Sequence, residues 1–193
     1  MESRDARPVM ERNTRDGIID TAIRLLEETG LPDLSMRRLA GAIGVQPSAL
    51  YWHFENKQSL LAAVADRIVG AAEAAPATGD RDADVTAAAI GLRDALLSHR
   101  DGAEVVLSTQ ALGLGSEATH RRLAQALGGG DAAASAATVL LQFILGHASL
   151  VQQRIQAARF GAYPQDEADV VATTSADFSA GVRMILAGLD VTG

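Results

Sequence analysis

The stretch Ser35 to Lys57, SMRRLAGAIGVQPSALYWHFENK, constrains the fold more than any other part of the chain. Leu39, Ala42, Ile43 and Val45 can turn towards one core at helical spacing, and Gly44 stands where the chain must reverse. Gln46-Pro47-Ser48 then opens a second helix carrying Ala49, Leu50, Tyr51 and Trp52. Proline suits a first helical turn, because the N–H it lacks would have no partner there. A helix, a tight turn with glycine and a second helix make the pattern of a helix-turn-helix, whose second helix enters the DNA major groove. Corners of this kind also occur in helical proteins of other kinds. Chemistry at the edges favours the first reading: Arg37 and Arg38 begin one helix, and Tyr51, His53 and Lys57 supply donors suited to phosphates after the turn.

The flanking sequence is helical throughout. From Thr14 the residues Ile18, Ile19, Ala22, Ile23, Leu25 and Leu26 form an apolar stripe that Gly30 ends, and Ser35 is a suitable cap for the next helix. Asn56 is a candidate cap for a helix from Lys57 to about Ala75, with Leu60, Leu61, Val64, Ile68 and Val69 as its buried face. Pro76 and the polar run Thr78 to Asp84 mark a boundary, and a helix is expected over Val85–Ser98. Ser116 caps a short helix to about Leu127, Gly128-Gly129-Gly130 interrupts it, and Asp131 to about Arg159 forms the longest helix. That triple glycine is no phosphate loop, since no Lys-Ser/Thr follows it and no strand precedes it. A short helix over Asp166–Ala172 and a last one over about Ser175–Leu189 complete the chain.

Composition sets outer limits. A chain of 193 residues can bury the core of one or two domains, and without cysteine it has no disulfide or thiolate ligand. No apolar run reads as a membrane span and no signal-peptide pattern opens the chain, so a cytoplasmic protein without membrane contact is expected. The formal net charge of −7 argues against a globally basic nucleic-acid binder. Up to Lys57, however, the charges nearly cancel, and most of the acidic excess lies beyond it. DNA binding needs a local basic face rather than a basic chain.

ALYWHFENKQSLLAAVADRIV resembles the end of the recognition helix and the linker helix of the TetR family of bacterial repressors. Upstream, TAIRLLEETGLPDLSMRRLAGAIGV is similar to the family's first helix and the first half of its helix-turn-helix, and LLSHRDGAEVVLSTQALG looks like the tetracycline-repressor branch. The resemblance implies an all-α chain. Residues 1–60 would be a three-helix DNA-binding domain with a disordered arm over 1–12, and residues 61–193 a helical domain for effector binding and dimerisation. It also implies a homodimer joined through the two long C-terminal helices, although each could simply cover its own core. A two-fold dimer would set two recognition helices on a near-palindromic duplex operator.

By the same resemblance the recognition helix spans Gln46 to Tyr51. Gln46 and Ser48 can bond base edges or phosphates, and Pro47 and Ala49 suit thymine methyls. Arg37 can reach guanine or a phosphate, while Tyr51, His53 and Lys57 hold phosphates. His53 could instead be a histidine at the edge of the core bonded to protein, and Trp52 is expected to pack. Alignment with tetracycline repressors puts Val106 where a metal-binding histidine belongs and Ile155 where a glutamate belongs. Neither offers oxygen to a hard cation, so no metal or other cofactor is expected. Leu92, Leu96, Val106, Thr109, Gln110, Phe143, His147 and Ile155 could line a pocket for a mostly apolar organic effector, or be ordinary core. The implied function is a repressor released from its operator by that effector. An activator or a ligand-independent regulator is the alternative. No nucleophile–His–acid grouping, metal cluster or phosphate loop supports an enzyme, and a helical adaptor has less in its favour than a regulator.

Overall fold

Side-chain caps delimit the first helices where the sequence places them. The computed structural model describes residues 13–72 and 78–190, and among these the regular elements are nine α-helices with no strand. The first four are α1 (Arg15–Thr29), α2 (Met36–Ile43), α3 (Pro47–Leu50) and α4 (Lys57–Gly70). The other five are α5 (Arg81–Leu97), α6 (Gly102–Gln110), α7 (Glu117–Ala126), α8 (Gly130–Arg159) and α9 (Glu167–Asp190). The arm over residues 1–12 and Pro76 lie outside the described residues.

The chain forms two compact units. One takes the chain up to Ile68 together with His99–Gly115, and the other takes Val69–Ser98 together with the chain from Ser116 onward. In the first unit the Thr14 hydroxyl accepts from Gly17 N–H and the Ser35 hydroxyl from Arg38 N–H, each satisfying an amide that the helix itself cannot. Ile18, Ala22, Leu26, Leu39, Leu50 and Phe54 are fully or almost fully buried and form its centre. Gly44 adopts φ 86°, ψ 30°, the left-handed backbone that closes α2 and aims α3. At α4, Asn56 Oδ1 accepts from Ser59 N–H while Asn56 N–H donates to Ser59 Oγ, a reciprocal cap.

A distant segment completes this unit. His99 Nδ1 lies 2.9 Å from Glu27 Oε1, and the Arg100 amide donates to the same carboxylate. The Arg100 guanidinium donates to the Glu28 carbonyl at the end of α1, and Asp101 Oδ2 accepts from Leu31 N–H at 2.8 Å. On the α4 side, Arg67 pairs with Asp16 and Asp20 of α1.

In the second unit α8 packs against α5, α7 and α9, and α5 also meets α7 and α9. Asp80 caps α5 by accepting from the amides of Asp82 and Ala83, which starts the helix at Arg81 rather than at Val85 as expected. Asp82 and Asp84 in the first turn suit the positive helix end. Between Phe160 and α9 the chain turns through Gly161, and α9 is one helix where two were expected. The Thr173, Thr174 and Ser175 hydroxyls donate to carbonyls one turn back, so these β-branched and polar residues stay helical instead of breaking the run. At the other end α4 closes at Gly70, short of the expected Ala75, which lies outside the described residues.

Contrary to the sequence expectation, the 30-residue α8 is long and apolar enough to cross a membrane by length and composition alone. Its Ala137, Leu140, Ile144, Leu145 and Ala148 are instead buried in the unit's core.

Gly181 of α9 allows the closest helix approach in this core. A Cβ there would overlap the Phe143 ring of α8, which lies over Phe178 with centroids 5.6 Å apart. Gly181→Ala should therefore lower stability by about 1–3 kcal/mol through overpacking, against the roughly 1 kcal/mol that alanine gains in helix propensity. A lower urea midpoint is expected; an unchanged or raised midpoint would mean that the ring swings aside freely.

Candidate nucleic-acid interface and effector-binding residues

The candidate DNA-reading edge is built on one buried residue and its exposed neighbours. Leu50 is fully buried and fixes α3 to the core, while Gln46 and Ser48 of the same turn are exposed. Pro47 sits at the first helical position, and Pro47 and Ala49 are half-buried. The α-helix ends at Leu50, earlier than expected, and Tyr51 to His53 form a turn. This shortening exposes side chains: Tyr51 is 52% and Trp52 89% accessible. Trp52 is thus not the packing residue that the sequence suggested. Phe54 takes that place at 1% exposure, because the turn after Leu50 swings Trp52 outward.

Arg37 and Arg38 are exposed on α2, whose C-terminus faces the turn to α3. His53 and Lys57 are half-buried, with Lys57 opening α4. The first amides of any helix lack intrahelical acceptors, which favours an anion beside Lys57. One residue missed by sequence reasoning holds this edge in place. Arg15 donates to the His53 carbonyl at 2.9 Å, and its guanidinium lies 4.4 Å from the Phe54 ring centroid. Its place in the first turn of α1, far along the chain from Phe54, gave no sequence signal.

The effector-binding candidates divide between the two units. Val106, Thr109 and Gln110 lie on α6 in the first; Val106 and Thr109 are buried, and the Thr109 hydroxyl donates to the Val106 carbonyl. Leu92 and Leu96 of α5 and Phe143, His147 and Ile155 of α8 lie in the second, the leucines buried and the other three half-buried. Phe143 and His147 are brought together with Phe178, the imidazole lying 4.9 Å from the Phe178 ring and 6.1 Å from the Phe143 ring.

The residue that sequence reasoning overlooked here is Arg93. It is only 5% exposed, and its guanidinium lies 5.2 Å from the Phe178 ring. The sequence signal was a charge inside the buried stripe Ala89, Leu92, Leu96. Arg93 Nη2 donates to Ser175 Oγ at 2.8 Å, while Arg93 Nε and His147 Nδ1 are buried without a partner. An unsatisfied buried polar group costs about 1–3 kcal/mol. Burial pushes the His147 pKa below the usual histidine value, with Arg93 adding to the effect and the Thr174 carbonyl opposing it.

Residues 18–64 match the model of bacterial regulatory proteins of the tetR family, and residues 73–175 match the tetracyclin repressor-like C-terminal domain. The chain belongs to the tetR family of bacterial regulatory proteins. Among solved structures of the family, BioQ of Mycobacterium smegmatis is 36% identical, with a TM-score of 0.80 over 93% of this chain and 99% of that one. BioQ with its natural double-stranded DNA operator is 35% identical, with a TM-score of 0.73 over 91% of this chain and 97% of that one. A TetR variant of Acinetobacter baumannii AYE in complex with minocycline is 28% identical, with a TM-score of 0.74 over 93% and 97%. The class D tetracycline repressor protein of Escherichia coli is 40% identical over 104 residues, 52% of this chain and 48% of that protein. The match thus spans about half the length of that curated relative.

The His147 environment has a measurable consequence. Its folded pKa lies below the unfolded value of about 6.5, so the unfolded chain binds more protons as pH falls through that value. Neutral His147 thus contributes stability above pH 6.5 that is lost on acidification. His147→Gln should show a smaller drop in urea midpoint between pH 7.5 and pH 5.5 than the unaltered protein. Equal drops would mean that the imidazole titrates alike in both states.

Proposed function

We propose that the protein is a homodimeric, DNA-binding transcriptional repressor that a small organic effector releases from a palindromic operator. The observation that carries this reading is the exposed edge Gln46, Ser48, Tyr51 and Trp52, held on a helix-turn-helix by buried Leu50 and Phe54. In this reading Gln46, Pro47, Ser48 and Ala49 meet base edges from the major groove, with Arg37 beside them. Tyr51, His53 and Lys57 hold the phosphates that set register. BioQ, similar over nearly its whole length, has been solved on its operator, which supports duplex DNA as the partner. The bound minocycline of the Acinetobacter baumannii relative supports a small-molecule effector.

Dimerisation uses α8 and α9. Val139 and Leu150 are exposed on α8, and Val171 and Met184 on α9. A two-fold axis would cover these faces by pairing the same two helices of a second copy into a four-helix bundle. Effector binding then biases the dimer towards a spacing of recognition helices that misfits the operator, which is coupling between two sites through a two-state assembly. A regulator of bacterial DNA works in the cytoplasm and needs no catalytic residues, so we assign none.

Gel shifts against the DNA upstream of the protein's own gene, at two salt concentrations, test the reading. Salt-sensitive, saturable binding of a dimer to one short near-palindrome is expected; no such complex on that DNA or in a genome-wide selection would overturn it. Tyr51→Ala should weaken the complex about tenfold while leaving the dimer intact. Lys57→Ala should reduce the log–log salt slope by about 1 for each recognition unit. Unchanged affinity in both variants would displace the assigned DNA contacts.

Val106 and Ile155 supply no oxygen ligand, so Mg²⁺ with tetracycline should leave the operator complex intact in the same assay. Efficient release would show that the metal–drug chelate is held by other residues.

A further inference from the structure

Where α5, α8 and α9 meet, the second unit holds more hydrogen-bonding capacity than it satisfies. Arg93 is almost wholly buried, yet its neighbours balance its charge poorly. Its Nη2 reaches a neutral hydroxyl, that of Ser175, and its Nη1 lies 4.0 Å from Asp94 Oδ1, a carboxylate that is 63% exposed. The guanidinium lies over the Phe178 ring, and its Nε–H has no acceptor.

Across the same ring, His147 Nε2 lies 3.0 Å from the Thr174 carbonyl, which can only accept. That nitrogen therefore carries the proton, and Nδ1 of the neutral imidazole is a buried acceptor without a donor. Two complementary needs thus flank one aromatic surface: an N–H of a buried cation that lacks an anion, and a lone pair that lacks a donor. Phe143 and His147 are half-buried, so the cluster has an edge that solvent reaches. A charge-assisted bond to guanidinium is stronger and more directional than a neutral one.

We propose that Arg93, His147 and Phe143 form a binding site for an aromatic hydroxy acid. The carboxylate accepts from Arg93 Nε, the adjacent hydroxyl donates to His147 Nδ1, and the ring lies against Phe143. That this ligand acts as the effector rests on the repressor reading; that it binds does not.

Calorimetric titration of the full chain with 2-hydroxybenzoate, 2-hydroxybenzamide and benzoate tests the site directly. The hydroxy acid should bind at least tenfold more tightly than its amide and measurably more tightly than benzoate. Arg93→Gln should erase the preference for acid over amide, and His147→Phe should erase the preference for hydroxybenzoate over benzoate. If Arg93→Gln does not fold, the comparison of acid with amide in the unaltered protein still decides.

Equal affinity for acid and amide, no binding at millimolar concentration, or a preference that survives both substitutions would overturn the proposal. Operator binding measured on the same preparation separates the two readings. DNA bound without acid preference removes this site and leaves the repressor, whereas acid preference without operator binding does the reverse.

Discussion

The end of α1 is where the first unit is held together. A helix leaves its last carbonyls without partners, and here residues from seventy positions downstream supply them. The Arg100 guanidinium donates to the Glu28 carbonyl, its amide donates to the Glu27 carboxylate, and Asp101 accepts from Leu31 N–H. Asp101 takes a left-handed backbone, φ 55°, which aspartate tolerates better than most residues, and it starts α6. Without this loop α1 would end in solvent-exposed carbonyls and α6 would lose its tie to the unit. Arg15 and Arg67 extend the same logic along α1: one holds the turn after α3, and the other holds α4 against Asp16 and Asp20.

Much of the local chemistry was legible in the sequence, though not the Asp80 cap of α5, and the long-range chemistry was not. Ser35, Gly44, Pro47 and Asn56 act as their side chains predict, because a cap or a left-handed turn is decided within four residues, whereas Ser116, also expected to cap, takes a left-handed backbone and makes no side-chain cap bond to α7. The family resemblance then supplied the architecture that such rules do not reach. The division of α9 into two helices failed because Thr173 and Thr174 can bond back into the helix as readily as they can end it. Trp52 was misplaced because an aromatic residue beside a core is buried or exposed according to where a helix stops, and α3 stops one residue before Tyr51. Arg93 was missed as a candidate although its charge interrupts an apolar stripe. What makes it notable, the Phe178 ring and Ser175, lies more than eighty residues away.

The interiors of the two units are chemically unlike. In the first, the large buried side chains are aliphatic apart from Phe54, and its charged groups sit at its rim in pairs. In the second, a guanidinium and an imidazole sit among two phenyl rings with part of their bonding capacity unused. Such a cluster gives away stability that an apolar core would keep.

The polypeptide passes from one unit to the other three times, at Ile68–Val69, Ser98–His99 and Gly115–Ser116. A division by sequence position therefore does not isolate either half. Cutting after α4 would leave the N-terminal piece without α6 and without the groups that bond the end of α1. A recombinant that exchanges one half for that of a relative would have to carry the short excursion from His99 to Gly115 with the half it belongs to.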